Sequence, residues 1–210
     1  MTHARTERTA LCDLLEQVGP DAPTLCAGWT TADLAAHLVL RERRFDAVPG
    51  IGFAPLAPYT AKVQRRIRDR HSWPELVGLV RQGPPVWSPY RLPAADALVN
   101  TLELFIHHED VRRARDGWEP RELPEALQDL LWRRLRTMAP FMLRKAPVGV
   151  VLRRPDGART GGRKAEPYVV VTGEPQELLL FAFGRQAHAR VTCSGDERSV
   201  ELLRSAPLGV

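Results

Sequence analysis

Asn100-Thr-Leu-Glu-Leu-Phe-Ile-His-His-Glu-Asp110 is the stretch on which the fold turns. It lies inside a helical pattern running from about 94 to 116 and stopped by Gly117, and it sets Glu103 and His107 four residues apart. Side chains at that spacing stand one above the other on one helix face. At about 100° per residue, Asp96, Asn100, His107 and Asp110 fall within about 60° of Glu103. Val99, Leu104, Ile106 and Val111 flank this polar stripe. His108, Glu109, Arg112, Arg113 and Asp116 gather on roughly the opposite side, which is expected to face water. A polar stripe is commonly a solvated face. One bordered by aliphatics and turned away from the charged side reads instead as a polar site inside a helical bundle. The residues alone leave both readings standing, with the second favoured.

Upstream, Trp29-Thr-Thr-Ala-Asp33-Leu34 opens another helix. Thr30 can cap it, Asp33 can complete a capping box, and Trp29 can staple onto Leu34. This helix carries His37, bordered by Leu34, Leu38 and Leu40. A lone histidine on an apolar face is more often a satisfied core residue than a ligand. Two helices can nevertheless bring His37, Glu103 and His107 around one divalent metal and leave a coordination position open, as a catalytic site requires. Asn100 and Asp110, one turn to either side, suit the work of orienting a ligating imidazole; ordinary helix-surface polarity is an equal reading. Arg41 and Arg44 share the His37 face. Beside a metal they would hold an anionic substrate; as the solvated end of a helix, the reading preferred for Arg44, they would do nothing specific.

Around these two helices the chain divides by periodicity. Leu11, Leu14, Leu15 and Val18 give a first helix an apolar face. Residues 48–58, rich in Pro and Gly, read as a loop, followed by helices at 59–69 and from Ser72. A last helix runs from about Pro124 to Leu143. Beyond it come strands at Val148–Leu152, Tyr168–Val171 and Ala189–Cys193, a turn at Pro155-Asp156-Gly157, and helices at Pro175–Phe183 and Glu197–Arg204. The expected architecture is a helical bundle over residues 1–145 with an appended α+β domain over 146–210.

Composition narrows the classes. The chain has 210 residues, 44% of them hydrophobic, enough for a substantial core. It contains no apolar run near the roughly 20 residues that span a bilayer. The mixed-charge N-terminus lacks an apolar signal core, so a cytoplasmic location is expected. Cys12, Cys26 and Cys193 form no framework and read as buried, inert thiols in a reducing compartment. A net charge of +5 and a pI near 9.5 raise the question of nucleic acid. Of the 30 basic residues, however, 27 are Arg scattered among acids, with no interleaved aromatics, so nucleic-acid binding is not the favoured reading.

Residues 24–44, Thr-Leu-Cys-Ala-Gly-Trp-Thr-Thr-Ala-Asp-Leu-Ala-Ala-His-Leu-Val-Leu-Arg-Glu-Arg-Arg, resemble the second helix of the mycothiol-dependent maleylpyruvate isomerase family, within the wider DinB-like metal-binding bundles. Asn100–Arg113 looks like that family's E-x-x-x-H-x-x-D helix. Val171-Thr-Gly-Glu-Pro-Gln-Glu-Leu-Leu-Leu-Phe-Ala-Phe-Gly-Arg185 is similar to its second domain. The joint pattern matches an actinobacterial branch whose members are mostly uncharacterised. The resemblance implies an up-down four-helix bundle and a divalent metal, usually Zn²⁺, held at the positions of His37, Glu103 and His107. It also implies a low-molecular-weight thiol cosubstrate in active members. Arg185, at the family's Gly-Arg position, is implied as a substrate-binding residue beside Arg41, with pairing to acids at the domain interface as an equal alternative. Relatives include isomerases, thiol S-transferases and proteins of no established activity, and a fold does not settle chemistry. The leading expectation is a metal-dependent thiol S-transferase or isomerase acting on a small electrophile, its general base unidentified. The alternative is a non-catalytic metal-binding or regulatory module, and a third reading is a basic partner-binding protein with an incidental polar helix.

Overall fold

The computed structural model describes residues 2–88 and 100–209. The proposed helix start at 94–99, with Asp96 and Val99, lies outside them. The chain forms two compact units, Met1–Glu119 and Pro120–Val210.

The first unit is helical. It contains α1 (His3–Val18), α2 (Thr31–Arg43), α3 (Ala57–Arg70), α4 (Trp73–Gln82) and α5 (Thr101–Arg112), with short 3₁₀ turns at Val48–Ile51 and Ala54–Leu56. The expected cap of α2 is present: Asp33 Oδ2 accepts from Thr30 N–H at 3.1 Å and from its hydroxyl at 3.2 Å. An equivalent pair, Ser72 and Glu75, starts α4. α1 packs on α5 and α4, and α2 packs on α3 and α4. Leu11, Leu15, Leu34, Leu38, Val63, Leu76 and Val80 fill the space between them.

One buried guanidinium ties three of these helices together. Arg8 of α1 donates to Glu42 of α2 at 2.5 and 3.1 Å and to the Val80 carbonyl of α4 at 2.8 Å. A paired charge of this kind is tolerated inside because both ends of the fork are satisfied.

The water-facing side assigned to α5 is corrected by the structure. His108, Glu109 and Arg113 are buried, and only Asp116, beyond the helix, is exposed. The reason is α1, which covers that face and supplies its own buried acid: His108 Nδ1 lies 3.0 Å from Glu7 Oε2. At the end of α5, Glu109 accepts from Arg113 at 2.6 Å and from Arg112 at 3.1 Å, and Arg113 lies over the Trp118 ring. Gly117, at φ +73°, turns the chain out of this segment.

The second unit holds α6 (Glu125–Met142), β1 (Gly149–Arg153), β2 (Arg159–Gly161), β3 (Tyr168–Thr172), α7 (Pro175–Ala182), β4 (Thr192–Ser194) and α8 (Glu197–Ser205). The sheet order is β2-β1-β3-β4, with β1 and β3 parallel and both edges antiparallel. β2 is the strand that periodicity missed; three residues with one half-buried side chain carry no alternation to read. The boundary expected at 145 falls instead after Glu119. The stripe Leu127, Leu131, Leu135 and Ala139 makes α6 part of the second unit, where it packs against the wholly buried α7. Among the described residues no helix is long and apolar enough to cross a membrane.

Arg8→Ala would leave the Glu42 carboxylate buried without its partner. A loss of about 3–5 kcal/mol in unfolding free energy is expected, read from urea denaturation of the intact chain. A loss under about 1 kcal/mol would mean that water or another cation takes over the role.

Candidate metal centre

α2 and α5 carry the three residues that the sequence singled out, and the fold brings them together. Glu103 and His107 share one face of α5, and His37 comes from the middle of α2. Glu103 Oε1 lies 3.1 Å from His37 Nε2 and 3.2 Å from His107 Nε2. The potential ligand atoms of the three residues all lie within 4.8 Å of one another. The rings of His37 and His107 sit edge to face with centroids 5.2 Å apart. Both histidines are buried, whereas the Glu103 side chain is 25% exposed. The Glu103 side chain is therefore the least covered part of the cluster.

Asp110 and Asn100 brace this cluster. Asp110 Oδ2 lies 3.0 Å from His107 Nδ1, so the far side of that ring is tied to a fully buried carboxylate. Asn100 Oδ1 accepts from Arg41 at 2.9 Å, and Arg41 Nε lies 3.5 Å from Glu103 Oε1. Arg41 is itself buried. Its guanidinium thus braces Glu103. Arg44, at the exposed end, pairs with Asp46 at 2.7 Å and makes no part of the cluster. Arg185 lies in the second unit and donates to the Phe183 carbonyl at 2.6 Å.

Two neighbours escaped the sequence reading. Cys26, assigned there as an inert core thiol, is half-buried and donates its S–H to Asp110 Oδ2 at 3.2 Å. Its sulfur is also 3.9 Å from His107 Nδ1. Trp29 packs on the core and sets its ring 5.1 Å from that of His37. The loop carrying both is pinned to α5 by the Leu25 N–H, which donates to the Asp110 carbonyl at 3.1 Å. The available signal was position: both residues sit just ahead of α2, within a dozen residues of His37.

Protonation follows from these contacts. Partial burial opposes ionisation of Glu103, but the hydrogen bonds from His107 and His37 and the Arg41 charge outweigh it and hold the carboxyl well below its usual range. Burial likewise opposes a charge on His107; the bonds to Asp110, Cys26 and Glu103 reverse the balance and push its pKa well above the ordinary value. Burial pushes His37 down, with the Glu103 bond only partly offsetting it. A carboxylate accepts and does not donate. The contacts thus favour a proton on both ring nitrogens of His107, and burial favours the neutral form of His37.

The donor set fits a divalent metal. Two imidazole Nε2 atoms and one carboxylate oxygen form the His₂Glu set of catalytic zinc sites. The Asp110 partner on His107 Nδ1 is the carboxylate that commonly fixes a ligating imidazole. A second group, Cys26, His107 and Asp110, also lies within ligand distance but uses the Nδ1 side of the same ring.

Residues 1–112 match the family model described as the mycothiol maleylpyruvate isomerase N-terminal domain. The chain belongs to this family. Two solved structures share the fold of members of that name. A crystal structure of the mycothiol-dependent maleylpyruvate isomerase is 20% identical, with a TM-score of 0.58 over 92% of this chain and 91% of that one. A structure of a histidine-to-alanine mutant of such an isomerase is 18% identical, with a TM-score of 0.53 and the same coverage. No curated protein matches the chain.

A metal ion entering here must displace the Nε2 proton of His107. Affinity for zinc is therefore expected to rise about tenfold per pH unit until the pH passes the raised pKa of His107, and to level off above it. Chelator-competition titrations at several pH values read this directly. Asp110→Asn should weaken zinc binding by about 10–100-fold without loss of the fold, which the same titrations and a circular dichroism melt can check.

Proposed function

We propose that this protein binds a divalent metal and uses it to join a low-molecular-weight thiol of mycothiol type to a small electrophile, as an S-transferase or a thiol-assisted isomerase. The observation that carries the reading is the convergence of His37 Nε2, Glu103 Oε1 and His107 Nε2 in a chain of this family. Two imidazoles and one carboxylate with an open position are a ligand set of catalytic zinc sites, one that iron(II) and nickel also accept. Held by these three residues, the ion would act as a Lewis acid and lower the pKa of a thiol in the open position.

The chain's own residues perform the supporting work. Asp110 holds the Nδ1 side of His107 and so presents Nε2 to the centre. Arg41 and Asn100 keep the Glu103 oxygen in place. Arg41 also puts a cation beside the reacting groups, suited to an anionic substrate. For Arg185 a substrate-binding role rests on its family position alone. No residue is assigned as general base. Three free cysteines fit a reducing, cytoplasmic setting, where low-molecular-weight thiols are kept reduced.

Metal content of the purified chain tests the reading, with a screen of thiols and electrophiles on the loaded protein. About one equivalent of metal is expected in the wild type, with His37→Ala and His107→Ala each falling below about a tenth of that occupancy. Thiol-dependent turnover should disappear in the same variants. A wild type that stays empty when zinc, nickel and manganese are offered would overturn the metal site. Metal without turnover would support the non-catalytic module instead.

A further inference from the structure

The first unit holds a second feature that the metal centre does not use. Val39, Ile67 and Leu79, from α2, α3 and α4, form the apolar part of a cavity of about 360 Å³. Arg43, Arg44, Arg66 and Arg70 also line it. On α2, Val39 and Arg43 lie about 200° and 240° around the axis from His37. The side chains agree: Arg41 reaches Glu103 and Asn100, whereas Arg43 reaches the carbonyls of Leu79 and Gly83 at 3.4 and 3.1 Å. Val39 and Arg43 thus face away from the candidate metal centre, and Arg44 reaches the cavity because α2 has ended at Arg43 and its cap no longer follows the helical direction.

Its charges are unevenly compensated. Arg44 is neutralised by Asp46 at 2.7 Å. Arg43 hydrogen-bonds to neutral carbonyls, with the Glu42 carboxylate as its nearby negative charge, and its Nε is buried with no acceptor among the described residues. Arg66 and Arg70, one turn apart on α3, make no ion pair or hydrogen bond among the described residues. The nearest acid on that helix, Asp69, is taken by Arg68 at 3.0 Å. Arg66 and Arg70, without an ion pair among the described residues, and Arg43 leave an excess of positive charge around one concavity, which attracts an anion.

We infer that this cavity binds a small phosphomonoester. A phosphomonoester carries about −1.5 to −2 charges near neutral pH and offers three acceptor oxygens, and planar guanidinium forks match that geometry. The Val39–Ile67–Leu79 surface would take an apolar group attached to the phosphate, and the volume is within the range of small-molecule sites. Half-buried Arg43, with its Nε out of water, would supply the anchoring donor, and Arg66 and Arg70 would close over the anion from α3. The site is separate from the proposed chemistry, so it stands or falls independently of it.

Calorimetric titration of the full chain with phenyl phosphate, at near-physiological salt, tests this. Inorganic phosphate, benzoate and a short DNA oligonucleotide serve as the other arms. One equivalent of phenyl phosphate should bind, more tightly than inorganic phosphate or benzoate. Arg66→Ala and Arg70→Ala, both exposed positions, should each weaken it about tenfold. His37→Ala should leave the affinity unchanged. Binding lost in His37→Ala but kept in both arginine variants would place the anion at the metal centre and overturn the inference. Absence of phenyl phosphate binding, or oligonucleotide binding in its place, would overturn it equally. Equal affinity for inorganic phosphate, or tighter binding of benzoate, would overturn the assignment of an organic phosphate.

Discussion

Helix α5 carries Glu103, His107, His108, Glu109 and Asp110 in the space of eight residues, and nearly all of that surface is out of water. A buried ionisable group is tolerated only when another group satisfies it. That requirement organises the first unit. Glu7 on α1 answers His108, and His37 and Arg41 on α2 answer Glu103. Cys26, from the loop before α2, joins His107 on Asp110. These partners come from three segments, α1, the loop before α2 and α2 itself, so satisfying α5 also sets where those segments lie around it.

The same demand gives the cluster its chemical character. His107 stands between two carboxylates, and its charged form is held there against the cost of burial. Exchanging that proton for a divalent cation keeps positive charge between Glu103 and Asp110. Metal binding and local packing are therefore two solutions to one electrostatic problem. An imidazole held on its far side by Asp110 has little freedom to turn away, which preserves the arrangement in the absence of the ion.

α2 separates two environments of opposite kind. On one face His37 and Arg41 meet the acids of α5. On the other, Arg43 joins the arginines of α3 around a cavity with no acid among its described lining residues, and Arg44 at its edge is paired with Asp46. A single helix carries both because residues 41 and 43 differ by about 200° in direction. The Arg-rich composition, which read as scattered charge along the chain, is here concentrated by the fold.

Local chemistry was readable from the sequence where it depended on neighbours in the chain. Thr30 and Asp33 cap α2 as their spacing indicated, and Pro175–Ala182 is the helix that its apolar run required. Glu103 and His107 share a face because four residues make about one turn. Burial was less accessible. The face carrying His108, Glu109 and Arg113 has the composition of a solvated surface, and only the packing of α1, with Glu7, takes it inside. α6 continues the helical half in sequence, yet its leucine stripe packs in the second unit. Cys26 and Trp29 reached the candidate site because one backbone hydrogen bond, from Leu25 to Asp110, folds their loop onto α5. Periodicity and capping act over one or two turns, so the helices and the face shared by Glu103 and His107 follow from the order of residues along the chain. Which charges are buried, and with whom, depends on segments roughly 60 to 100 residues apart meeting in space, and that comes only from packing.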